Sequence, residues 1–290
     1  MSDRIPERIT VRKTYELYIG GAFPRSESGR TYEVTDAKGG FVANAARASR
    51  KDARDAVVAA RKAQPGWAGR TGYNRGQILY RIAEMLEGRN RQFIEELRAA
   101  GAGKQAAADE VDAAVDRWVW YAGWADKLAQ VRGSANPVAG PYFDFSTPEP
   151  TGVVAVVAPP ASYLLGLVSV LAPVLVTGNT AVVVAAEGGA LPAITLAEVL
   201  ATSDLPGGVV NLLTGRAAEL TPWLASHMDV NAIDLTGAAP DVAADAERAA
   251  AENLKRVHPP AAAPDWTAEP GLRRMTAFLE TKTVWHPIGI

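Results

Sequence analysis

The stretch that most narrows what this chain can fold into runs from Thr151 to Ala186, where no charged side chain occurs. A run of that length could cross a bilayer as a helix. It is punctuated, however, by Pro159-Pro160, Pro173 and Gly178-Asn179-Thr180, which divide it into strand-sized and helix-sized pieces. Short strands with no polar face are what a parallel sheet needs when helices cover both of its sides, so a buried β-α-β unit is expected here and no membrane partner. The pattern continues beyond this stretch: VVAVVA, TAVVVAA, GVVNLL and NAIDLTG alternate with helix-length segments. The expectation is an α/β fold whose ligands would sit at the carboxyl ends of the strands.

Before Gly152 the pattern differs. Tyr15 to Ile19 and Thr31 to Thr35 are rich in β-formers and flank Gly20-Gly21 and Ser28-Gly29, so the two are expected to pair antiparallel. Ser49 with Asp52 three residues on is a capping-box pattern, followed at helical spacing by Ala53, Ala56, Val57 and Ala60. A second helix carries Ile78, Leu79, Ile82, Met85 and Leu86, breaks near Gly88, and resumes with Phe93, Ile94 and Leu97. A third places Val111, Val115, Trp118, Ala122, Ala125 and Leu128 on one face, so its WVWYAGW stretch reads as core packing rather than a platform for bases. Further on, Ala190 to Thr202 has Pro192 in its first turn and is stopped by Asp204-Leu205-Pro206-Gly207. Ala261 to Pro264 is linker-like, and Thr281 to Trp285 reads as a last strand.

Thirty basic and thirty-two acidic residues leave a net charge of -2 over 290 residues, without the basic excess of a phosphate-tracking protein, so no nucleic-acid partner is expected. The absence of cysteine excludes disulfides, thiolate metal sites and a cysteine nucleophile. The opening MSDRIPERIT has no apolar core of a secretory signal, which makes the cytoplasm the expected location.

A dinucleotide site ordinarily shows a G-x-G-x-x-G turn between strand and helix, since only glycine lets backbone N–H groups approach the pyrophosphate. No such turn follows a strand here; the nearest candidate is Thr236-Gly237-Ala238, which could seat a phosphate at a helix N-terminus or simply be a turn. His227, His258 and His286 are scattered and support no metal site, with His227 expected to cap or pack near a helix end. Ser162 lies in P-P-A-S-Y rather than in a nucleophile elbow.

Taken in order, YIGGAFPRSESGRTYEV, DARDAVVAARKAQPGWAG, RGQILYRIAEML, WYAGWADKL, EPTGVVAVVAP, LAPVLVTGNTAVVV, LPGGVVNLLTG and SHMDVNAIDLTG resemble the N-terminal half of the NAD(P)-dependent aldehyde dehydrogenase superfamily, from about Tyr15 to Val257. The closing AFLETKTVWHPIG resembles that family's extreme C-terminal strand. The resemblance implies a Rossmann-like parallel sheet with flanking helices, plus a small antiparallel oligomerisation subdomain. Residues 1–140 and 153–257 would form the nucleotide-binding-type domain, and 141–152 with 273–290 the oligomerisation arm. Residues 258–272 would be a linker replacing the catalytic domain.

The resemblance also marks departures. The segment Asn253-Leu254-Lys255-Arg256-Val257 should lead into a strand bearing the E-L-G-G glutamate, the family's general base. Pro260 stands there instead, and Pro259-Pro260 implies that the strand is lost with its base. The P-W-N element appears as Pro159-Pro160-Ala161, and K-P-[AS]-E as Val184-Ala185-Ala186-Glu187, keeping only Glu187. Thr236-Gly237-Ala238 stands for T-G-S, while Val242 and Ala217 take the places of glycines. Each replacement removes a donor or adds a Cβ, at about 1–3 kcal/mol apiece, enough together to take a micromolar site to millimolar.

Glu187, Thr236 and Gly237 are therefore the candidate cofactor-binding residues, or the vestiges of such a site, and Glu187 reads more readily as a solvated loop carboxylate. No catalytic residue, metal or resident cofactor is expected, with NAD(P) binding weak at most. The implied role is a pseudoenzyme, a structural or regulatory subunit whose partner is a full-length aldehyde dehydrogenase or another copy of itself. A nucleotide-sensing module and an oxidoreductase subunit that borrows its partner's cysteine are the alternatives.

Overall fold

The computed structural model describes residue 11, residues 13–260 and residues 264–289. The first half of the chain comprises β1 (Thr14–Tyr15), β2 (Thr31–Thr35), β3 (Phe41–Ala46), α1 (Arg50–Ala68), α2 (Gly72–Glu87), α3 (Asn90–Ala99), α4 (Lys104–Trp124), α5 (Leu128–Arg132), β4 (Ser134–Asn136) and β5 (Tyr142–Pro150). The second half alternates strand and helix: β6 (Val153–Val157), α6 (Leu165–Val176), β7 (Thr180–Val184), α7 (Ala190–Ala201), β8 (Val210–Leu213), α8 (Ala217–Ser226), β9 (Ala232–Asp234), α9 (Pro240–Ala251) and β10 (Arg256–His258). Then follow α10 (Arg273–Ala277) and β11 (Leu279–Pro287).

The charge-free region becomes the centre of a parallel sheet with strand order β10-β9-β6-β7-β8. Every residue of β6, β7, β8 and β9 is buried, as a sheet covered on both faces demands. The period of two divides the side chains between two cores. Val154, Val156, Ala181, Val183 and Leu212 join the larger one with Trp67, Trp118 and the wholly buried α6. Val153, Ala155, Val157, Val182 and Val184 join the second, with α1, α8 and α9. From β6 the chain steps outward to β7 and β8 and then returns to lay β9 on the other flank of β6. The order therefore reverses between β6 and β9, which opens a crevice at their carboxyl ends. Among the described residues, no helix is long and apolar enough to cross a membrane.

The helical expectations hold except in the third helix, expected to run on to Leu128, which ends at Trp124, with Leu128 opening the separate α5. Ser49 and Asp52 form the reciprocal capping box of α1. Gly88 separates α2 from α3, and Trp118 and Tyr121 are core residues. Pro192 lies in the first turn of α7.

Two strand expectations are corrected. Thr31–Thr35 pairs antiparallel with Phe41–Ala46, not with Tyr15–Ile19, because the turn between β2 and β3 is locally built: Asp36 Oδ1 accepts the N–H groups of Lys38 and Gly40, both at 2.8 Å, and Gly39 takes a φ of +81°. Thr14–Tyr15 runs parallel to β3, while Ile19 turns back on Ala22 and Tyr18 bridges Leu212. The strand that Asn253–Val257 leads into, expected to be lost at Pro259-Pro260, is lost only from those prolines on: its start persists as β10, parallel to β9 in the register Arg256 to Ala232, Val257 to Ile233 and His258 to Asp234. Its ladder uses the Arg256 N–H and the His258 carbonyl, and both prolines fall after it, at an edge where no further ladder is required. Of the linker, Ala261 to Ala263 lie outside the described residues, as do Met1 to Thr10 and Ile290.

The small antiparallel sheet has order β11-β5-β4. β11 pairs with β5 continuously from Leu279 opposite Pro150 to Pro287 opposite Tyr142. Asn179 ties it to the main sheet: its Oδ1 accepts the Gly152 N–H at 2.7 Å, and its Nδ2 donates to the Phe278 carbonyl at 2.8 Å.

Candidate functional site

At the crevice between β6 and β9 lies a cleft of about 770 Å³. One wall is Pro159-Pro160-Ala161, which follows β6, and another is Ala185 to Gly188, which follows β7. The start of α8 contributes Ala217, and the turn into α9 contributes Thr236, Gly237 and Val242. Pro264 and Trp266, from the segment between β10 and α10, close one side.

All three residues singled out from the sequence reach this cleft, and each has an environment of its own. Glu187 opens a short 3₁₀ turn and is exposed; its carboxylate acts on Tyr32, whose hydroxyl is held above its ordinary pKa first by burial and then by that charge. Thr236 is already engaged: its hydroxyl donates to Asp234 Oδ1 at 2.5 Å, its N–H donates to the same oxygen at 2.9 Å, and Arg274 Nη1 donates to its Oγ1 at 3.2 Å. Gly237 donates its N–H to the Val157 carbonyl at 3.0 Å, and a Cβ built on it would run into the Ala158 carbonyl oxygen. Glycine is needed there for close packing of the α9 turn on β6.

The cleft matches a dinucleotide poorly. Among the described residues no lysine, arginine or histidine lines it, and the charged lining residue is Glu187. Helix α9, whose N-terminus faces the crevice, starts with Pro240, which has no N–H to offer, and carries Asp241 in its first turn, where a phosphate would meet a like charge. Ala161, Ala185 and Ala217 line it with methyl groups, which offer no hydrogen bond.

Beside the cleft is a polar cluster that the sequence did not announce. Asp234, fully buried at the end of β9, has Arg274 Nη1 at 3.2 Å from its Oδ2. The His258 Nδ1 lies 3.6 Å from Oδ1, too far for a hydrogen bond, and has no partner. The Arg274 guanidinium sits 5.2 Å from the centre of the Trp266 ring. Arg117, from α4, donates to the carbonyls of Trp266 at 2.6 Å and Ala268 at 3.1 Å and to Ser169 Oγ at 2.9 Å. Burial depresses its pKa, and burial likewise pushes the neighbouring Tyr121 hydroxyl up to about 12 against the opposing pull of Arg117 and Arg274. Buried Arg117 and half-buried Arg274 thus pin the segment that closes the cleft. The signal available in the sequence was the Arg273-Arg274 pair within an otherwise apolar GLRRMTA, and the aspartate ending an apolar strand.

The other candidates take structural roles. His227 ends α8 and its Nδ1 accepts the Asp229 N–H at 3.1 Å. Ser162 donates to Glu110 Oε1 at 2.9 Å and accepts the Gly166 N–H at 2.8 Å, while the same Glu110 oxygen accepts the N–H groups of Leu164 and Leu165, so the pair caps the start of α6. Among the described residues no group of histidines and carboxylates could hold a metal ion.

A doubly wound parallel sheet with a cleft at its strand reversal and an antiparallel strand pair at its side defines a nucleotide-fold protein. The aldehyde dehydrogenase family pattern matches residues 23–259, and the chain belongs to that family. It is 33% identical over 252 residues to a cytosolic aldehyde dehydrogenase 1 of Elephantulus edwardii, covering 83% of this chain and 49% of that protein. To human retinal dehydrogenase 2 it is 32% identical, covering 84% of this chain and 48% of the relative. Among solved structures, HpcC from Thermus thermophilus superposes with a TM-score of 0.81 at 29% identity, over 85% of this chain and 48% of that one. An aldehyde dehydrogenase from Bacillus cereus, solved with NAD+, gives 0.79 at 26% identity, over 84% and 50% of the two chains. The chain spans about half the length of the curated relatives it matches.

Proposed function

We propose that this chain is a non-catalytic member of its family, a structural or regulatory subunit that joins a full-length aldehyde dehydrogenase, or a second copy of itself, through the β11–β5–β4 sheet. The observation that carries this reading is the sheet itself. It is nine residue pairs long between β11 and β5, yet Tyr142, Phe143 and Trp285 stand exposed on it. Trp285 pairs with Asp144 and Phe143 with His286, so the two aromatics point to opposite faces, and both faces offer apolar surface to a partner.

Three features support the non-catalytic part. The chain contains no cysteine, Pro260 stands where the resemblance calls for the general base, and Pro264 and Trp266 close one side of a cleft that no cation lines among the described residues. In this reading residues 1–140 and 153–257 make the nucleotide-fold domain, 141–152 and 273–290 the arm, and 258–272 the linker. Glu187, Thr236 and Gly237 are remnants of a cofactor site, and the complex resides in the cytoplasm.

Sedimentation velocity of the full chain, alone and mixed with a full-length aldehyde dehydrogenase from the same source, tests the proposal. The expected result is a stable complex that Phe143→Glu with Trp285→Glu abolishes, and no appreciable heat on titration with NAD+. A well-behaved monomer that reduces NAD+ when given an aldehyde overturns it. Micromolar NAD+ binding without turnover would replace it by the nucleotide-sensing reading.

A further inference from the structure

At the opposite end of α8 from the cleft, its last turn meets the first turn of α1 around a recess of about 550 Å³, within the size range of small-molecule sites. The recess shares no lining residue with the cleft. Buried Ala53 and Leu224 form its floor. Trp223 and Met228, 42% and 78% exposed, form an apolar wall that the described chain leaves uncovered.

The rim has a single sign of charge. Arg50, Lys51 and Arg54 all line the recess, and among the described residues no carboxylate does. Lys51 is paired with Glu27 at 3.4 Å and Arg54 with Asp55 at 3.0 Å, but Arg50 has no ion pair among the described residues. Its guanidinium lies over Trp223 instead, 3.4 Å from the ring centre. That stacking holds one face of the guanidinium and leaves its N–H edge free for a planar, two-oxygen acceptor.

The placement of these cations is unfavourable for the helix alone. Three of them crowd the first two turns of α1, the positive end of its dipole, where carboxylates are stabilising. Asp52, the acidic residue of that first turn, is consumed by the Ser49 cap and by Ser26, whose hydroxyl donates to it at 2.8 Å. His227 adds a donor: its Nδ1 is occupied as an acceptor, which puts the proton of the neutral ring on Nε2, and burial lowers its pKa and so favours that neutral form.

We infer that this recess binds a small amphiphilic anion, its apolar body against Trp223, Leu224 and Met228 and its carboxylate or sulfonate on Arg50, with Lys51 and Arg54 supplying the surrounding positive field. The inference is independent of any role of the cleft or the arm.

Calorimetric titration of the full chain with octanoate, with uncharged octan-1-ol and with octylammonium tests it. Octanoate is expected to bind saturably and at least about ten-fold more tightly than octan-1-ol, with octylammonium weakest. Arg50→Glu is expected to weaken octanoate about ten-fold or more while leaving octan-1-ol binding unchanged and without lowering the thermal midpoint. Met228→Asp, at an exposed position, should weaken both. Equal affinities for octanoate and octan-1-ol, octanoate binding that survives Arg50→Glu, or no binding of octanoate would each overturn the assignment.

Discussion

Replacing Arg274 by Met tests whether the buried cluster at the end of β9 locks the chain's last segment in place. Asp234 is fully buried, and it keeps three donors: Thr236 N–H at 2.9 Å, Thr236 O–H at 2.5 Å and Arg274 Nη1 at 3.2 Å. Removing one partner of a fully buried ion pair costs about 3–5 kcal/mol, because the other charge is left unpaired. Here the Arg274 side chain retains 18% exposure, its contact is at the long end of hydrogen bonding, and both Thr236 donors remain. The expected loss is therefore lower, about 2–3 kcal/mol. Asp234→Asn alone should cost about 1–2 kcal/mol, since it leaves the guanidinium without its counter-charge but removes no volume and leaves Thr236 Oγ1 as an acceptor. The double variant leaves no unpaired charge, so its loss should fall short of the sum by about 1–2 kcal/mol. Urea unfolding at neutral pH with unchanged m-values reads all four corners of the cycle. Additivity within about 0.5 kcal/mol would show that Arg274 does not serve Asp234 and would refute the reasoning.

Asn179→Ala orphans the Gly152 N–H in the buried joint between the two sheets and leaves the Phe278 carbonyl only the Thr151 N–H, and a loss of about 1–3 kcal/mol is expected by the same unfolding assay. Gly237→Ala drives a methyl group into the Ala158 carbonyl and should lower stability by about 1–3 kcal/mol, read as a lowered thermal midpoint. Burial holds the Lys255 amine down at about 8 in the fold, below its ordinary value, so between about pH 8 and 10 the unfolded chain binds more protons and stability should rise with pH. Lys255→Met should flatten that rise in unfolding experiments across this window. Above about pH 10 the trend reverses, because Tyr15, Tyr18, Tyr32 and Tyr121 are held neutral by burial in the fold and ionise more readily once it opens.

How far the fold could be read in advance depended on whether the deciding interactions were local. Val153–Val157 and Thr180–Val184 identify themselves because uninterrupted apolar β-formers between turn residues have few other places to go. Phe41–Ala46 did not, since FVANAA has weak β-character and its pairing follows from the Asp36 turn before it. Tyr15–Ile19 has the stronger composition, yet its partners, β3 and Leu212, are distant in sequence. The prolines after His258 do act as a stop, but a stop governs only the residues beyond it and leaves three ladder residues intact. Glu187, Thr236 and Gly237 come together because each follows a strand. That the Thr236 hydroxyl is engaged by Asp234 and Arg274 was not legible, because the arginine comes 38 residues later and from a different part of the fold.

That same pair of prolines bears on how many molecules could join end to end. The β8 border of the main sheet is covered by Tyr18, which exchanges both backbone hydrogen bonds with Leu212. The β10 border is three residues long, is followed by Pro259 and Pro260, and has its Arg256 side chain held by Glu280. A molecule with one adhesive rim closes into a finite pair, whereas two open rims propagate into a filament. Pro259 and Pro260, which have no N–H to give, deny that second rim a ladder donor beyond His258, so a strand laid against it would find only a short template.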